Sequence, residues 1–178
     1  MKHLIYTIFS EHKNIVIFLH IISAVIWVGG MIAMRFAAHQ SIQLIDNVPE
    51  KIERSAHALK RLFSIVAPFV IILIITAVIM AVGYGFRTAA VGPNGNVLND
   101  YAMFIYNIVH VKEAIWLVMA VNFLAMVIRR NKAAKLIANG DLIAAASTLK
   151  LIAKYMVPLN IVLGLIAIYL GVFLRNAY

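Results

Sequence analysis

Apolar residues in this chain fall into four long runs, separated by polar and basic connections. The runs cover residues 15–38, 62–84, 102–128 and 151–174, and each reaches the ~20 residues with which a helix crosses a bilayer. The pattern predicts an all-α fold, an integral membrane four-helix bundle that forms one transmembrane domain over residues 1–178. The first run is too long for a cleavable signal peptide and lacks a small-residue cleavage site, so it is predicted to remain as a span.

Composition agrees with this interpretation and excludes several kinds of functional site. The chain has 178 residues, of which 63% are hydrophobic and 13% charged, against about 25% charged in soluble proteins. The absence of cysteine excludes iron–sulfur clusters, thiolate zinc sites and cysteine nucleophiles. No glycine-rich phosphate loop, dinucleotide fingerprint or nucleophile–base set is present. Catalytic residues are therefore unknown, and any enzymatic chemistry would come from a bound cofactor.

The positions of the basic residues predict the orientation of the chain. Lys and Arg number 16 against 7 Asp and Glu, a net charge of +9. Most of them lie in the connections after spans one and three, which are therefore predicted to be cytoplasmic, with both termini outside. The charge indicates affinity for anionic membrane lipid, and nucleic acid is not an expected partner. The residues of the two connections are Arg35, Lys51, Arg54, Lys60, Arg61, Arg129, Arg130, Lys132, Lys135, Lys150 and Lys154.

Several residues predict local structure. Asn47 and Asp141 are placed to cap helices, and residues 92–96, Gly-Pro-Asn-Gly-Asn, predict a loop. Pro68 and Pro158 predict kinks in spans two and four. The mid-span amides Asn122 and Asn160 are typical of hydrogen bonds between helices, and Thr76 is placed to bond freed backbone carbonyls.

An offset of 90 residues aligns the two halves of the chain. It pairs His20 with His110 and Pro68 with Pro158, although chance matching of apolar segments is the alternative explanation. The alignment predicts two parallel-repeated transmembrane hairpins, related by an axis along the membrane normal.

His20 and His110 are the main candidate site residues, because an ionisable side chain within a span indicates function. Both are predicted at similar depth in the outer leaflet. If the spans pack in cyclic order at 8–10 Å, spans one and three are diagonal and roughly 13 Å apart. Two imidazoles reaching inward would then be placed as axial ligands of a haem iron. The alternative is a pair of polar residues that hydrogen-bond between helices.

Four further residues are candidate cofactor contacts. Trp27 lies seven residues after His20 on the same helical face, and Gly30 would let a flat ring approach the backbone. Lys112 and Arg35 would each neutralise a carboxylate such as a haem propionate. The alternatives are helix packing for Trp27 and Gly30, and snorkelling to the interface for Lys112 and Arg35.

His39 and His57 form a weaker candidate metal pair on the cytoplasmic side. His39 follows His20 by 19 residues, so it lies about 28 Å further along the helix axis. The two side chains would ligate a second haem or metal, line a substrate entrance, or be an ordinary interfacial pair.

Three motifs carry a family resemblance. The first, within residues 19–39, consists of Leu-His-Ile-Ile, then Trp-Val-Gly-Gly, then Arg35 and His39. The second is Arg-Leu at 61–62 followed by Pro68, and the third is His-Val-Lys at 110–112. They resemble the HemJ-type protoporphyrinogen oxidases, small haem-binding membrane proteins of bacteria. The chain is also similar to the CopD-type copper-resistance membrane domain. This likeness rests on the His, Trp and Gly-Gly of the first motif, on Lys112 and on Arg-Arg-Asn at 129–131.

The resemblance implies a haem-dependent redox protein of the bacterial inner membrane, with periplasmic termini. It would hold one haem b, or two if His39 and His57 bind a second. It would oxidise a tetrapyrrole, or pass electrons to quinone or a redox partner protein. The alternatives are a CopD-like copper-handling or transport protein and a membrane anchor subunit, and a homo-oligomer is compatible with each.

Overall fold

The computed structural model describes residues 2–176, which form an all-α four-helix bundle. Two helical segments continue through a five-residue π-helical turn, Met34–Ala38 in the first and Ile152–Met156 in the last. The α-helices are α1 (Lys2–Ala33), α2 (His39–Gln43), α3 (Val48–Gly83), α4 (Phe86–Ala90), α5 (Asp100–Ala138), α6 (Leu142–Leu151) and α7 (Val157–Asn176).

Each predicted span lies within a longer helical segment. The segments Leu4–Gln43, Val48–Ala90, Asp100–Ala138 and Leu142–Asn176 are long and apolar enough to cross a membrane. They extend beyond the apolar runs because the flanking sequence also favours helix. In α3, for example, the lead-in before residue 62 stays helical and carries an ion pair of 3.3 Å from Arg54 to Glu50, one turn apart.

The predicted helix starts are confirmed by their caps. The Asn47 side chain accepts a hydrogen bond of 3.1 Å from the Glu50 backbone N–H at the start of α3. The Asp141 carboxylate accepts one of 3.0 Å from the Ala144 N–H at the start of α6. Each satisfies an N–H group that the first helical turn leaves without an internal partner. Residues 92–96 form the predicted loop.

The four long helices pack in cyclic order. Helix α1 contacts α3 and α7, and α5 contacts the same two helices, so α1 and α5 lie on a diagonal. Aromatic rings fill the centre: Phe123 of α5 contacts Trp27 of α1 at 6.1 Å and Phe63 of α3 at 5.3 Å between ring centroids. The diagonal relationship of spans one and three is therefore present, with packed side chains in the middle of the bundle.

Gly164 of α7 marks the closest approach of three helices. A Cβ atom at this position would lie 2.5 Å from Val28 Cγ2 of α1 and 3.3 Å from Met119 Cε of α5. Only a glycine fits between those side chains without displacing them.

The mid-span amides join α5 to α7, as expected from the sequence. The Asn122 amide donates to the Met156 carbonyl and to Asn160 Oδ1, both at 2.8 Å. Asn160 is fully buried and donates to the Met119 carbonyl at 3.3 Å. The pair satisfies itself and two backbone carbonyls within the apolar core.

The two halves differ at positions that the 90-residue offset pairs. Trp27 is 1% exposed, whereas its counterpart Leu117 is 57% exposed. Helix α3 is uninterrupted at Pro68, whereas a π-helical turn precedes Pro158. Equivalent positions in the proposed repeat therefore do not share the same environment.

Candidate functional site

The His20 side chain is held in a defined orientation by Thr76. His20 Nδ1 lies 3.0 Å from Thr76 Oγ1, and Thr76 is only 3% exposed. The Thr76 hydroxyl lies 2.8 Å from the Ile72 carbonyl and 3.0 Å from the Leu73 carbonyl. If the hydroxyl gives its single proton to one of these carbonyls, Thr76 Oγ1 accepts the Nδ1–H of His20. His20 Nε2 then carries the free lone pair, the state in which an imidazole binds a metal.

Helical spacing explains why His20 faces inward. The buried residues Val16, Ser23, Trp27 and Met31 recur at intervals that keep them on one face of α1. His20 lies on the same stripe between Val16 and Ser23 and is half-buried. Its partner Thr76 faces it from α3, the helix that packs most closely on α1.

Lys112 is the second polar residue of this region. It is half-buried on α5, the helix diagonal to α1. A Cβ atom on Gly171 would lie 3.1 Å from Lys112 Nζ, so the ammonium group lies against the backbone of α7. It makes no hydrogen bond or ion pair with the part of the chain that the structure describes. Lys112 shares the interior stripe of α5 with Ile105, Val109, Trp116, Met119, Phe123 and Met126.

His110 lies on a different face of α5. Its side chain is 50% exposed, and its Nδ1 lies 2.9 Å from Glu113 Oε2 on the same helix. The Tyr106 ring contacts its imidazole at 4.3 Å between centroids. Lys112 thus lies on the interior face of α5, whereas His110 points away from the interior that His20 faces. The axial pair of His20 and His110 stays a prediction.

Trp27 and Gly30 both lie in helix contacts. A Cβ atom at Gly30 would come within 3.0 Å of Leu62 Cδ1 and 3.6 Å of Val66 Cγ2, so this glycine lets α1 approach α3. Trp27 is packed in the central core, but its indole Nε1–H is buried without an acceptor. The same is true of Trp116 Nε1. Packing explains the position of Gly30, whereas the two indole N–H groups have no hydrogen-bond partner among residues 2–176.

The three candidates at the opposite end of the bundle from His20, which are Arg35, His39 and His57, are not gathered into one site. Arg35 lies in the π-helical turn Met34–Ala38, and the half-buried His39 follows at the start of α2. His57 is exposed on α3, where its Nε2 accepts a hydrogen bond of 3.1 Å from Arg61 Nε. Within residues 2–176, no three or more His, Asp or Glu side chains are close enough to hold a metal ion.

Two residues of this site were not identified as such from the sequence. Thr76 was expected to bond backbone carbonyls, which it does, but its contact with His20 joins two distant segments and leaves no local signal. Trp116 has a signal, because it follows Lys112 by four residues and so shares its helical face.

Comparison with known proteins adds no relatives: no protein-family model, curated protein or solved structure matches the chain.

Proposed function

We propose that this chain is an integral membrane protein that binds a b-type haem through His20 and takes part in redox chemistry within the membrane. The observation that supports it is the His20–Thr76 hydrogen bond, which leaves Nε2 of an inward-facing imidazole free to bind iron. The haem would supply one-electron chemistry. The protein would hold it, orient it and exclude water by its packed apolar core.

The residues fit a haem on one side only. His20 offers a lone pair, and Lys112 offers a cation that would pair with a propionate. His110 does not fit as the opposite ligand, because its side chain lies on the exposed face of α5. Turning α5 until His110 faced inward would take Lys112 and the buried residues Met119 and Phe123 out of the core. We therefore assign His20 as the iron ligand and keep the two-histidine arrangement as an outcome of the test.

The proposed redox role has two forms. One is oxidation of a tetrapyrrole such as protoporphyrinogen, for which the short HemJ-like motifs are the support. The other is electron transfer to quinone or to a redox partner protein. Both place the protein in the bacterial inner membrane with periplasmic termini, which the basic connections support.

The test is an absorption spectrum of protein purified in detergent after haem-replete expression, oxidised and reduced. The wild type is compared with His20→Ala, with His110→Ala and with His12→Ala, a matched control for an exposed histidine on α1. We expect a Soret band and a reducible visible band in the wild type, lost in His20→Ala and retained in both others. Size-exclusion profiles check that each variant is folded.

Other outcomes identify the alternatives. Loss of the spectrum in both His20→Ala and His110→Ala would establish two-histidine ligation and overturn the single-ligand assignment. A colourless wild type would overturn the haem proposal. Copper detected by elemental analysis would then support copper handling, and the absence of both metals an anchor subunit.

A further inference from the structure

Two N–H donors lie on adjacent turns of the interior face of α5 without an acceptor. Trp116 Nε1 is buried and makes no hydrogen bond. Lys112, four residues earlier on the same face, makes no hydrogen bond or ion pair with any described residue. Glu113, the acidic residue beside it in sequence, is turned to the exposed face and bonded to His110. The donors therefore share one region of the bundle interior and have no partner there.

Leaving the buried Trp116 N–H unpaired is unfavourable, because a buried neutral donor without an acceptor costs about 1–3 kcal/mol. The half-buried Lys112 adds a positive charge that has no counter-ion among the described residues. An ammonium group within a membrane span pairs with an acidic group or lines a functional cavity. The missing acceptor is thus expected in a ligand. A neutral carbonyl would bond the indole N–H but leave the ammonium charge unbalanced, whereas a carboxylate satisfies both.

Helix geometry is compatible with one carboxylate as the shared partner. Residues four apart lie on the same face, and their Cα atoms are separated by about 6 Å along the helix axis. A carboxylate offers one oxygen to each of two donors, at about 2.8 Å each. His20 lies on the interior face of α1, the helix diagonal to α5, and would face the rest of the same ligand.

We propose that Lys112 and Trp116 bind a carboxylate of the ligand held at His20, the ammonium by an ion pair and the indole N–H by a directed hydrogen bond. The ligand class is a tetrapyrrole carboxylic acid. This inference rests on the proposed function only in taking the ligand to be a tetrapyrrole, and it requires no iron.

The test uses metal-free protoporphyrin IX and its dimethyl ester, in which both carboxylates are blocked. Binding to the full chain in lipid nanodiscs is measured by porphyrin fluorescence, with empty nanodiscs as the correction for partition into lipid. We expect the wild type to bind the diacid about tenfold or more tightly than the diester. Lys112→Met should abolish that preference, and Trp116→Phe should reduce it about three- to tenfold.

Matched variants separate this site from general effects. Lys13→Met removes an exposed cation of α1 that lies outside this region, and should leave the preference unchanged. Lys112→Arg keeps the charge and should retain most of it. Trp116→Phe keeps an aromatic ring in the core, so a folded variant is available even if Lys112→Met fails to fold.

The two proposals fail separately. If haem spectra do not depend on His20 but the diacid preference and its dependence on Lys112 persist, the haem proposal falls and the carboxylate site stands. If haem binds through His20 but the wild type does not distinguish diacid from diester, the carboxylate site is overturned. A preference that survives in both Lys112→Met and Trp116→Phe overturns it as well.

Discussion

The Thr76 hydroxyl oxygen of α3 lies 3.0 Å from Nδ1 of His20 on α1, so this hydrogen bond decides which ring nitrogen stays free. Nε2 is the free nitrogen when the hydroxyl proton goes to the backbone carbonyl of Ile72 or Leu73. A hydroxyl on one helix thereby prepares an imidazole on another for ligand binding. The same bond joins α1 to α3, the helix that packs most closely on it.

Replacing Thr76 by valine should remove the preference of the His20 ring for one neutral tautomer. Valine keeps the branched shape but cannot accept the Nδ1–H, so both neutral tautomers become populated. Nitrogen NMR of ¹⁵N-histidine-labelled protein, with the His20 signal assigned through His20→Ala, should report a protonated Nδ1 in the wild type and a mixture in Thr76→Val. Thr76→Ser retains the hydroxyl and should resemble the wild type. A wild-type ring protonated at Nε2 instead would contradict the assignment.

Gly164→Ala should destabilise the bundle where α1, α5 and α7 meet. The added methyl group would lie 2.5 Å from Val28 Cγ2, and relieving such overpacking costs about 1–3 kcal/mol. Gly29→Ala is the matched control, because nothing lies within 4 Å of a Cβ atom there. The unfolding free energy of both variants can be measured by titration with sodium dodecyl sulfate in mixed micelles. Equal stability of the two would argue against this packing of α7.

The amides of Asn122 and Asn160 should behave as a coupled pair. Either single change to leucine leaves polar groups of the other residue unpaired in the core, with an expected loss of about 1 kcal/mol. The double variant should lose less unfolding free energy than the sum of the two single losses, because neither amide then remains in the core without its partner. Strictly additive losses in this double-mutant cycle would show that the hydrogen bond between them does not contribute to stability.

The positions of the helices along the chain were easier to predict from the sequence than the side of each helix that faces the core. Four apolar runs of about 20 residues leave few alternatives to four crossing helices, and Asn47 and Asp141 carry local capping signals that the structure confirms. Asn122 and Asn160 were also expected to join helices, since an amide in an apolar span needs a partner.

Helix rotation was harder to predict, and His110 is the clearest example. In a membrane bundle the lipid-facing side is as apolar as the core, so hydropathy does not tell the two apart. His20 and His110 are paired by the 90-residue offset, yet one faces Thr76 and the other Glu113 on the exposed face. The orientation of α5 follows instead from the interior stripe of Ile105, Val109, Met119, Phe123 and Met126, which a phase analysis of the large side chains would have detected.

The proposed orientation can be tested directly because the chain contains no cysteine. Asn94 is exposed in the loop after α4, and Ser147 is exposed on α6 at the opposite end of the bundle. If the basic connections are cytoplasmic, a membrane-impermeant maleimide added to bacterial spheroplasts should label Asn94→Cys at once. Ser147→Cys should be labelled only after the membrane is permeabilised, and the cysteine-free parent serves as the blank. The reverse pattern would place His20 and Lys112 in the cytoplasmic half of the membrane, so any ligand carboxylate at Lys112 would lie on that side.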